Sequence, residues 1–416
     1  MRILYVLNGT FNYGGTESVV LNYYHNIDRS RVQIDFMLHT SKMECAQNSI
    51  CNKLKKEGVS IFCVTPRRND LIQNYKDIVC VLRENKYDVI HTHMDCIGAY
   101  ILNIAKKEGI TVRIAHSHNT NIPIKVNGLK SFFHRLFWEY CRYDIRRQAN
   151  QYMACSVAAA NWLFGRKIVK MNKVYILHNA IDVKKFRYDS EIRNTLRKKL
   201  GLDACFVIGH VGRFSYQKNH DYLIRIFQQV VRQDTSARLL LVGDGELKSE
   251  IRQQVHRAGL DSKVIFYGVS DRVNELYQVM DVFVFPSHYE GLGMTVIEAQ
   301  CSGLPCVIAD NSKVSTESSI TPLAVRIPCT VLDVWVEEIL KYKKYVRVDM
   351  HDRIGDAGYD LEKEAQKLEK YYLKILDWLV YSMKKIDFVI TWVDGNDSAW
   401  REEKARCSGV SGDQKK

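Results

Sequence analysis

Short apolar runs alternate with longer amphipathic stretches along most of this chain. In the first half RILYVL (2–7), VQIDFML (32–38), SIFCV (60–64), DVIHTH (88–93), VRIAHSH (112–118) and QYMACS (151–156) read as strands. TESVVLNYYHNI (16–27) and NYKDIVCVLREN (74–85) carry helical spacing instead. The second half repeats the scheme with CFVIGHVG (205–212), ARLLLVGDG (237–245), KVIFYG (263–268), DVFVFPS (281–287) and PCVIAD (305–310). Helix-length segments such as HDYLIRIFQQVVRQ (220–233) and ELKSEIRQQVHRAG (246–259) separate them. This alternation predicts an α/β fold with parallel sheets. The rhythm breaks near HNAIDVKKF (178–186), where the strand VYIL ends. Two doubly wound, Rossmann-like domains facing a central cleft are the simplest assembly, one over 1–180 and one over 181–361.

In open parallel sheets ligands bind beyond the carboxyl ends of the strands, which directs attention to four loops. NGTFNYGGTES (8–18) places Gly14 and Gly15 before a helix that Thr16 could cap. Glycine lets backbone approach a ligand, and free N–H groups at a helix start favour a phosphate. A bland strand-to-helix turn fits the same residues. HVGRFSYQKNH (210–220) carries Arg213 and Lys218 after a strand, two cations suited to a pyrophosphate. A solvated basic turn is the alternative.

The third loop is FPSHYEGLGMTVIEAQCSGLPCVIAD (285–310), in which Glu290 and Glu298 are separated by seven residues. A helix is expected to begin around Gly293 to Thr295. The carboxylates could take sugar and ribose hydroxyls, and the backbone N–H groups of Gly291, Leu292 and Gly293 a phosphate. The fourth loop, RIAHSHNT (113–120), has His116 and His118 on one side of a strand end. Either could be a packed structural histidine.

Composition narrows the class. A chain of 416 residues exceeds one ordinary core, and 46% hydrophobic content with only 6 prolines excludes a linker-like or disordered protein. The 12 cysteines are scattered singly, without CxxC or zinc spacing, and read as reduced thiols. No segment reaches the ~18 consecutive apolar residues of a membrane span. The opening RILYVL is too short for the apolar region of a signal peptide, and no cleavage site comes after it. The expected location is cytoplasmic, with a peripheral place on the inner face of the cell membrane as a variant.

With the four loops in place, the sequence strongly resembles family 4 glycosyltransferases, retaining enzymes of the GT-B fold, over about residues 1–380. FPSHYEGLGMTVIEA resembles the family's E-x7-E signature, HVGRFSYQKN its donor-phosphate loop, LLLVGDGE its next strand and turn, and HNAID its entry to the second domain. The resemblance implies that Glu290 contacts the donor sugar and Glu298 the ribose. Arg213 and Lys218 would neutralise the diphosphate, and Gly15 would touch it from the N-terminal domain. His118 matches the family's active-site histidine, with His116 as the competing assignment. The base would rest near Phe266 to Val269, on the backbone of Gly268 and Val269.

The same resemblance implies a hexose or N-acetylhexosamine moved from a nucleotide-sugar, UDP-sugar favoured, to a saccharide acceptor. The setting would be capsule, exopolysaccharide or lipopolysaccharide synthesis. No metal or other cofactor is implied, and no DxD stands at a donor site; Asp394 and Asp397 are three apart in the tail. A GT-B sugar-nucleotide epimerase and a non-catalytic nucleotide-sugar binding protein are the alternatives. A nicotinamide-dependent oxidoreductase is disfavoured by the missing glycine fingerprint.

Charge adds a partner. Of the formal net +13, residues 1–180 hold 25 Lys and Arg against 13 Asp and Glu, or +12. GLKSFFHRLFWEYCRYDIRRQ (128–148) mixes Phe132, Phe133, Phe137 and Trp138 with Lys130, Arg135, Arg142, Arg146 and Arg147. Such a helix could lie on an anionic membrane or be a core helix with a charged outer face. A lipid-linked acceptor fits the first reading, and nucleic acid is disfavoured because no recognised motif accompanies the charge. EAQKLEKYYLKILDWLVY (364–381) reads as the helix, about 362–382, that packs back on the N-terminal domain. MKKIDFVITWVDGNDSAWREEK (383–404) resembles the opening of Stealth-type sugar-phosphate transferases. The tail 383–416 is expected to be a truncated fusion or read-through, poorly ordered.

Overall fold

The computed structural model describes residues 1–11, 15–120 and 129–375, with 129–131 described in backbone only. It resolves two units, Met1–Gln366 and Lys367–Lys416. The first holds two parallel sheets. Strands β1 (Arg2–Leu7), β2 (Gln33–His39), β3 (Ile61–Val64), β4 (Val89–Thr92), β5 (Val112–Ser117), β6 (Gln151–Ala154) and β7 (Val174–Ile176) form one, in the order β3-β2-β1-β4-β5-β6-β7. The second joins β8 (Phe206–Val211), β9 (Ala237–Val242), β10 (Val264–Gly268), β11 (Val282–Phe285), β12 (Cys306–Ala309) and β13 (Ala324–Ile327), in the order β10-β9-β8-β11-β12-β13. All the pairings are parallel, so both domains are doubly wound.

The central strands are short and almost wholly buried because helices cover both faces, while the outer strands β3, β6, β7, β10 and β13 are only partly buried. On one side of the second sheet Phe227, Leu239 and Trp335 share a core; on the other Phe283, Phe285 and Tyr277 do. Each such side chain contributes about 1.5–3 kcal/mol by leaving water. Strand order reverses between β1 and β4 in the first sheet and between β8 and β11 in the second. These are the switch points at which loops diverge and leave a crevice.

The expected strands are present, and β13 is an addition that its sequence, AVRI, hid by its shortness. The segment 246–259 yields a shorter helix, Lys248–Arg257, because the GDGE turn consumes its start. Helix Gly15–Asn26 begins one residue before Thr16, so Thr16 lies in its first turn and not at a cap. Gly14 falls outside the described residues.

Between the sheets the chain crosses at 178–182 and returns at 359–361. Ile181 N–H donates to the Tyr359 carbonyl (2.9 Å) and Leu361 N–H to the Ile181 carbonyl (3.0 Å), so the two crossings run paired. Gly358 has φ 89°, and a Cβ there would lie 2.9 Å from His178 Nδ1, so glycine is what lets them meet. Residues 361–375 are helical; the remainder of the anticipated closing helix and the tail 383–416 lie outside the described residues.

Candidate active site

The loops after β8 and β11, the strands flanking the second switch point, carry the expected donor-site charges. After β8 a short turn, Tyr216–Lys218, delivers Lys218, and Asn219 in left-handed backbone (φ 53°) starts helix His220–Gln233. Asn219 Nδ2 donates to the Pro286 carbonyl (3.0 Å), Gln217 Nε2 to the Tyr289 carbonyl (3.1 Å) and His288 N–H to the Gln217 carbonyl (2.9 Å). The two loops are thereby laced together. The Lys218 ammonium lies 2.7 Å from Glu290 Oε1 and 4.7 Å from the centre of the Phe285 ring. Gly212 leaves room for the lysine stem, since a Cβ would come 3.1 Å from Lys218 Cδ and Cε.

The LLLVGDGE turn has a packing reason. A Cβ on Gly243 would be 2.1 Å from the Gly212 carbonyl oxygen, and one on Gly245 2.5 Å from that of Phe214. Only glycine lets the end of β9 press against the Arg213 loop, where Phe214 N–H donates to the Asp244 carbonyl (3.0 Å). Arg213 itself is exposed and pairs with Glu246 (3.1 Å). Gly268, with φ 91°, ends β10 and accepts from Gly243 N–H (2.8 Å); Val269 beside it is exposed.

Beyond β11, Glu290 is 8% exposed and its N–H donates to the Lys313 carbonyl (2.8 Å). Gly293, at φ 80°, turns the chain into helix Met294–Cys301, with Leu292 buried below. Glu298 is half-buried on that helix and accepts a hydrogen bond from the Tyr277 hydroxyl (2.9 Å). Burial raises its carboxyl above the usual range, opposed by the bond from Tyr277 and by the charge of Lys218.

The first domain brings its histidines to the same place. A Cβ on Gly291 would lie 2.9 Å from the His118 carbonyl oxygen, and Thr120 Oγ1 donates to the Glu290 carbonyl at 3.4 Å. His118 and the Glu290 loop therefore meet across the cleft. His118 is one of four stacked imidazoles. His91 Nε2 faces His116 Nδ1 at 3.1 Å, and His93 Nδ1 faces His118 Nε2 at 3.0 Å. Ring centroids of His91 and His93, and of His116 and His118, are 4.1 Å apart. Burial holds all four neutral, His118 down at about 3.

The ring nitrogens of His91, His93 and His116 come within 4.8 Å of one another, close enough to gather an imidazole-binding ion such as Zn2+ after rearrangement. As arranged, the imidazoles hydrogen-bond in pairs. His118 is also held by its backbone: Asp95 accepts from His118 N–H (2.8 Å) and from Asn119 Nδ2 (2.7 Å).

Gly15, expected on the donor diphosphate, opens its helix with nothing among the described residues within 4 Å of where a Cβ would stand. A separate cavity of about 620 Å³ opens behind the Lys218 turn, with Tyr216, Arg225, Gln254 and His288 in its wall. None of the expected donor-site residues lines it. Sequence reasoning missed His93, Asp95 and Tyr277. His93 had a legible signal: the pattern His-x-His ends two successive strand segments, 91–93 and 116–118. Tyr277, inside an ordinary amphipathic helix, had none.

Two parallel-sheet α/β domains with these loops define the GT-B class. HepE of Anabaena in complex with UDP-glucose superposes with a TM-score of 0.69 at 19% identity, covering 90% of this chain and 100% of that one. Sucrose-phosphate synthase of Thermosynechococcus elongatus does so at 0.71 and 18% identity, covering 90% and 99%. The model for "Glycosyl transferases group 1" matches residues 192–318 and that for "Glycosyltransferase Family 4" residues 13–185. "Stealth protein CR1, conserved region 1" matches residues 384–411, outside the described residues. "Putative glycosyltransferase EpsF" of Bacillus subtilis (strain 168) is 31% identical over 379 residues, 89% of this chain and 96% of that protein. An Escherichia coli "UDP-Gal:alpha-D-GlcNAc-diphosphoundecaprenol alpha-1,3-galactosyltransferase" is 25% identical over 60% of this chain and 66% of its own length. The chain belongs to the family 4 glycosyltransferases, and it is a transferase enzyme.

Proposed function

We propose that the protein transfers a hexosyl or N-acetylhexosaminyl group, with retention, from a UDP-sugar to a lipid-linked saccharide during surface-polysaccharide synthesis. The observation that carries this reading is the meeting of the laced Lys218–Glu290 loops with His118 of the facing domain. The donor half is 181–361 and the acceptor half 1–180. Lys218 and Arg213 take the diphosphate, Glu298 the ribose, Glu290 the donor sugar, and the backbone of Gly291, Leu292 and Gly293 a phosphate oxygen. Gly15 reaches the diphosphate from the other side, and Gly268 and Val269 border the base.

In the reaction the bond from the anomeric carbon to the diphosphate oxygen breaks while the acceptor oxygen bonds to that carbon from the same face. The departing phosphate oxygen takes the acceptor proton, so no protein nucleophile is needed. Charge grows on the leaving diphosphate, and positioned cations there lower the barrier. This chemistry uses no metal. The helix Leu129–Gln148 supports a membrane setting, with Phe132, Phe133, Leu136, Phe137 and Tyr140 exposed. No helix among the described residues is long and apolar enough to cross a membrane. The lipid-linked acceptor named for the Escherichia coli relative agrees with that setting.

Thermal shift with UDP-, GDP-, ADP- and TDP-sugars in EDTA tests the donor site. A donor at ~100 times its Kd adds about 2.7 kcal/mol to native stability. The expected result is a selective UDP-sugar shift that Glu298→Ala abolishes. A shift with another base alone, or one that needs added Mg2+, would overturn the assignment.

A further inference from the structure

The His118 imidazole is gripped at both ends. Its backbone is pinned by Asp95, which itself sits in left-handed backbone at φ 47°, an uncommon conformation outside glycine. Its ring is bound edge to edge by His93 and stacked on His116. His93 in turn lies 4.7 Å from the Tyr5 ring and 4.1 Å from that of His91, so it has no freedom to turn away.

A neutral imidazole carries one N–H and one lone pair. In the His93–His118 pair one N–H is spent on the bond between the rings, which leaves one N–H and one lone pair for the outer nitrogens. Those nitrogens, His93 Nε2 and His118 Nδ1, are both buried and have no hydrogen-bond partner among the described residues. A buried N–H without a partner is costlier and rarer than a bare acceptor. His93 Nε2 belongs to a ring packed among other rings, whereas the backbone carbonyl of His118 lies against the donor loop, 2.9 Å from where a Cβ on Gly291 would stand. The arrangement in which a ligand can satisfy the spare N–H puts that N–H on His118.

We propose that His93 is a positioning residue for glycosyl transfer: its Nδ1–H donates to His118 Nε2, which fixes the ring and leaves His118 Nδ1–H to donate to a substrate oxygen. This rests on the reading of His118 as the cleft-side active-site histidine. His93 touches neither substrate in that reading. It acts by selecting one tautomer of His118, as a second group does wherever the orientation of a catalytic imidazole matters.

The test reads tautomer and rate separately. In EDTA-treated, substrate-free protein, long-range 1H–15N spectra of the histidine rings should show His118 protonated at Nδ1. His93→Phe should mix or invert that tautomer and lower kcat by about tenfold, the equivalent of one hydrogen bond of about 1.4 kcal/mol, with the donor KM unchanged. His93→Asn, whose amide stands where Nδ1 was, should restore both the tautomer and most of kcat. His93→Gln, whose amide reaches the Nε2 position, should restore neither. A wild-type His118 protonated at Nε2, or a tautomer indifferent to His93→Phe, would overturn the proposal directly. A tautomer that switches while kcat stays constant would overturn it through the role given to His118, which His118→Ala with normal transfer would corroborate. Ring resonances that shift on adding Zn2+, with transfer then depending on that ion, would overturn it in favour of a metal centre.

Discussion

The Lys218 ammonium and the Glu290 carboxylate stand 2.7 Å apart, their side chains only 14% and 9% exposed. Two residues proposed to meet separate parts of a donor are thus paired with each other. Removing one partner of a buried pair strands the other charge and costs about 3–5 kcal/mol, whereas removing both costs far less. Lys218→Met and Glu290→Gln should therefore each lower the urea midpoint markedly, and the double variant should recover most of the loss. Transfer should be absent in all three. Recovery of activity alongside stability in the double variant would show that the pair is only structural.

Glu298 depends on Tyr277 in a milder way. The Tyr277 hydroxyl donates to its carboxylate at 2.9 Å and lies 3.2 Å from the Thr295 carbonyl, so the phenol orients the acid on its helix. Tyr277→Phe keeps the ring in the core and removes one charge-assisted bond, worth about 1.5–3 kcal/mol. Donor affinity by calorimetry should fall at least tenfold, with the fold intact and kcat at saturating donor within about threefold. An unchanged affinity would separate Glu298 from donor recognition.

The grip of Asp95 on the His118 loop can be exchanged. Asp95 Oδ2 accepts from Asn119 Nδ2, an acceptor facing a donor. Asp95→Asn allows two amide NH2 groups to oppose each other and should loosen the loop; adding Asn119→Asp restores one acceptor and one donor. Transfer by the single variant should drop by about tenfold or more and return towards wild type in the double. No recovery would mean that the negative charge at 95, and not the bond, is what the loop needs.

Stability should depend on histidine protonation on the acid side of neutrality. Burial lowers His39 to about 4, His118 to about 3, His210 to about 4 and His220 to about 2, and it depresses His91, His93 and His116 as well. Unfolded, each titrates near 6.5. The unfolded chain therefore binds more protons below about pH 6.5, and stability present above that pH is lost as the pH falls towards the folded values. Each such ring contributes up to about 1.4 kcal/mol per pH unit in that window. His220 suits a direct check: both its ring nitrogens are buried without partners among the described residues, and its ring stacks on Phe214 at 4.2 Å. His220→Phe should raise the urea midpoint at pH 7 and raise it further at pH 5. An equal gain at both would contradict the assignment.

The architecture was legible because parallel strands buried on both faces announce themselves as apolar runs, and because loops at strand ends inherit the chemistry. Glu290, Lys218 and His118 follow from that logic together with the family pattern. The features that escaped were partners that only three dimensions supply. Asp95 and Asn119 are 24 positions apart and meet because β4 and β5 are neighbours. Tyr277 reaches Glu298 from another helix, and nothing in VNELYQV distinguishes that tyrosine from its neighbours. The pairing of Lys218 with Glu290 was likewise invisible, since each was read for what it would give a ligand.

The helix Leu129–Gln148 has two faces whose difference is physical. Cys141 and Ile145 are buried and Trp138 packs against the core, while Phe132, Phe133, Leu136, Phe137, Tyr140 and Tyr143 are exposed, from 47% to 63%. At 100° per residue these exposed side chains occupy the arc opposite the buried one, and Arg135 and Arg147 stand exposed on the same helix. A lone exposed apolar side chain needs no explanation, but five aromatics and a leucine on one helix in a half-chain of charge +12 do. Anionic lipid would answer both features: the rings would enter the headgroup boundary and each nearby cation would add about 1 kcal/mol. The protein should therefore co-sediment with phosphatidylglycerol vesicles more than with phosphatidylcholine ones, and less in high salt. Phe133→Asp with Phe137→Asp should abolish that binding and transfer to membrane-embedded acceptor, yet leave the thermal shift by donor unchanged. Vesicle binding undiminished in that variant would move the contact to another basic surface of the first domain.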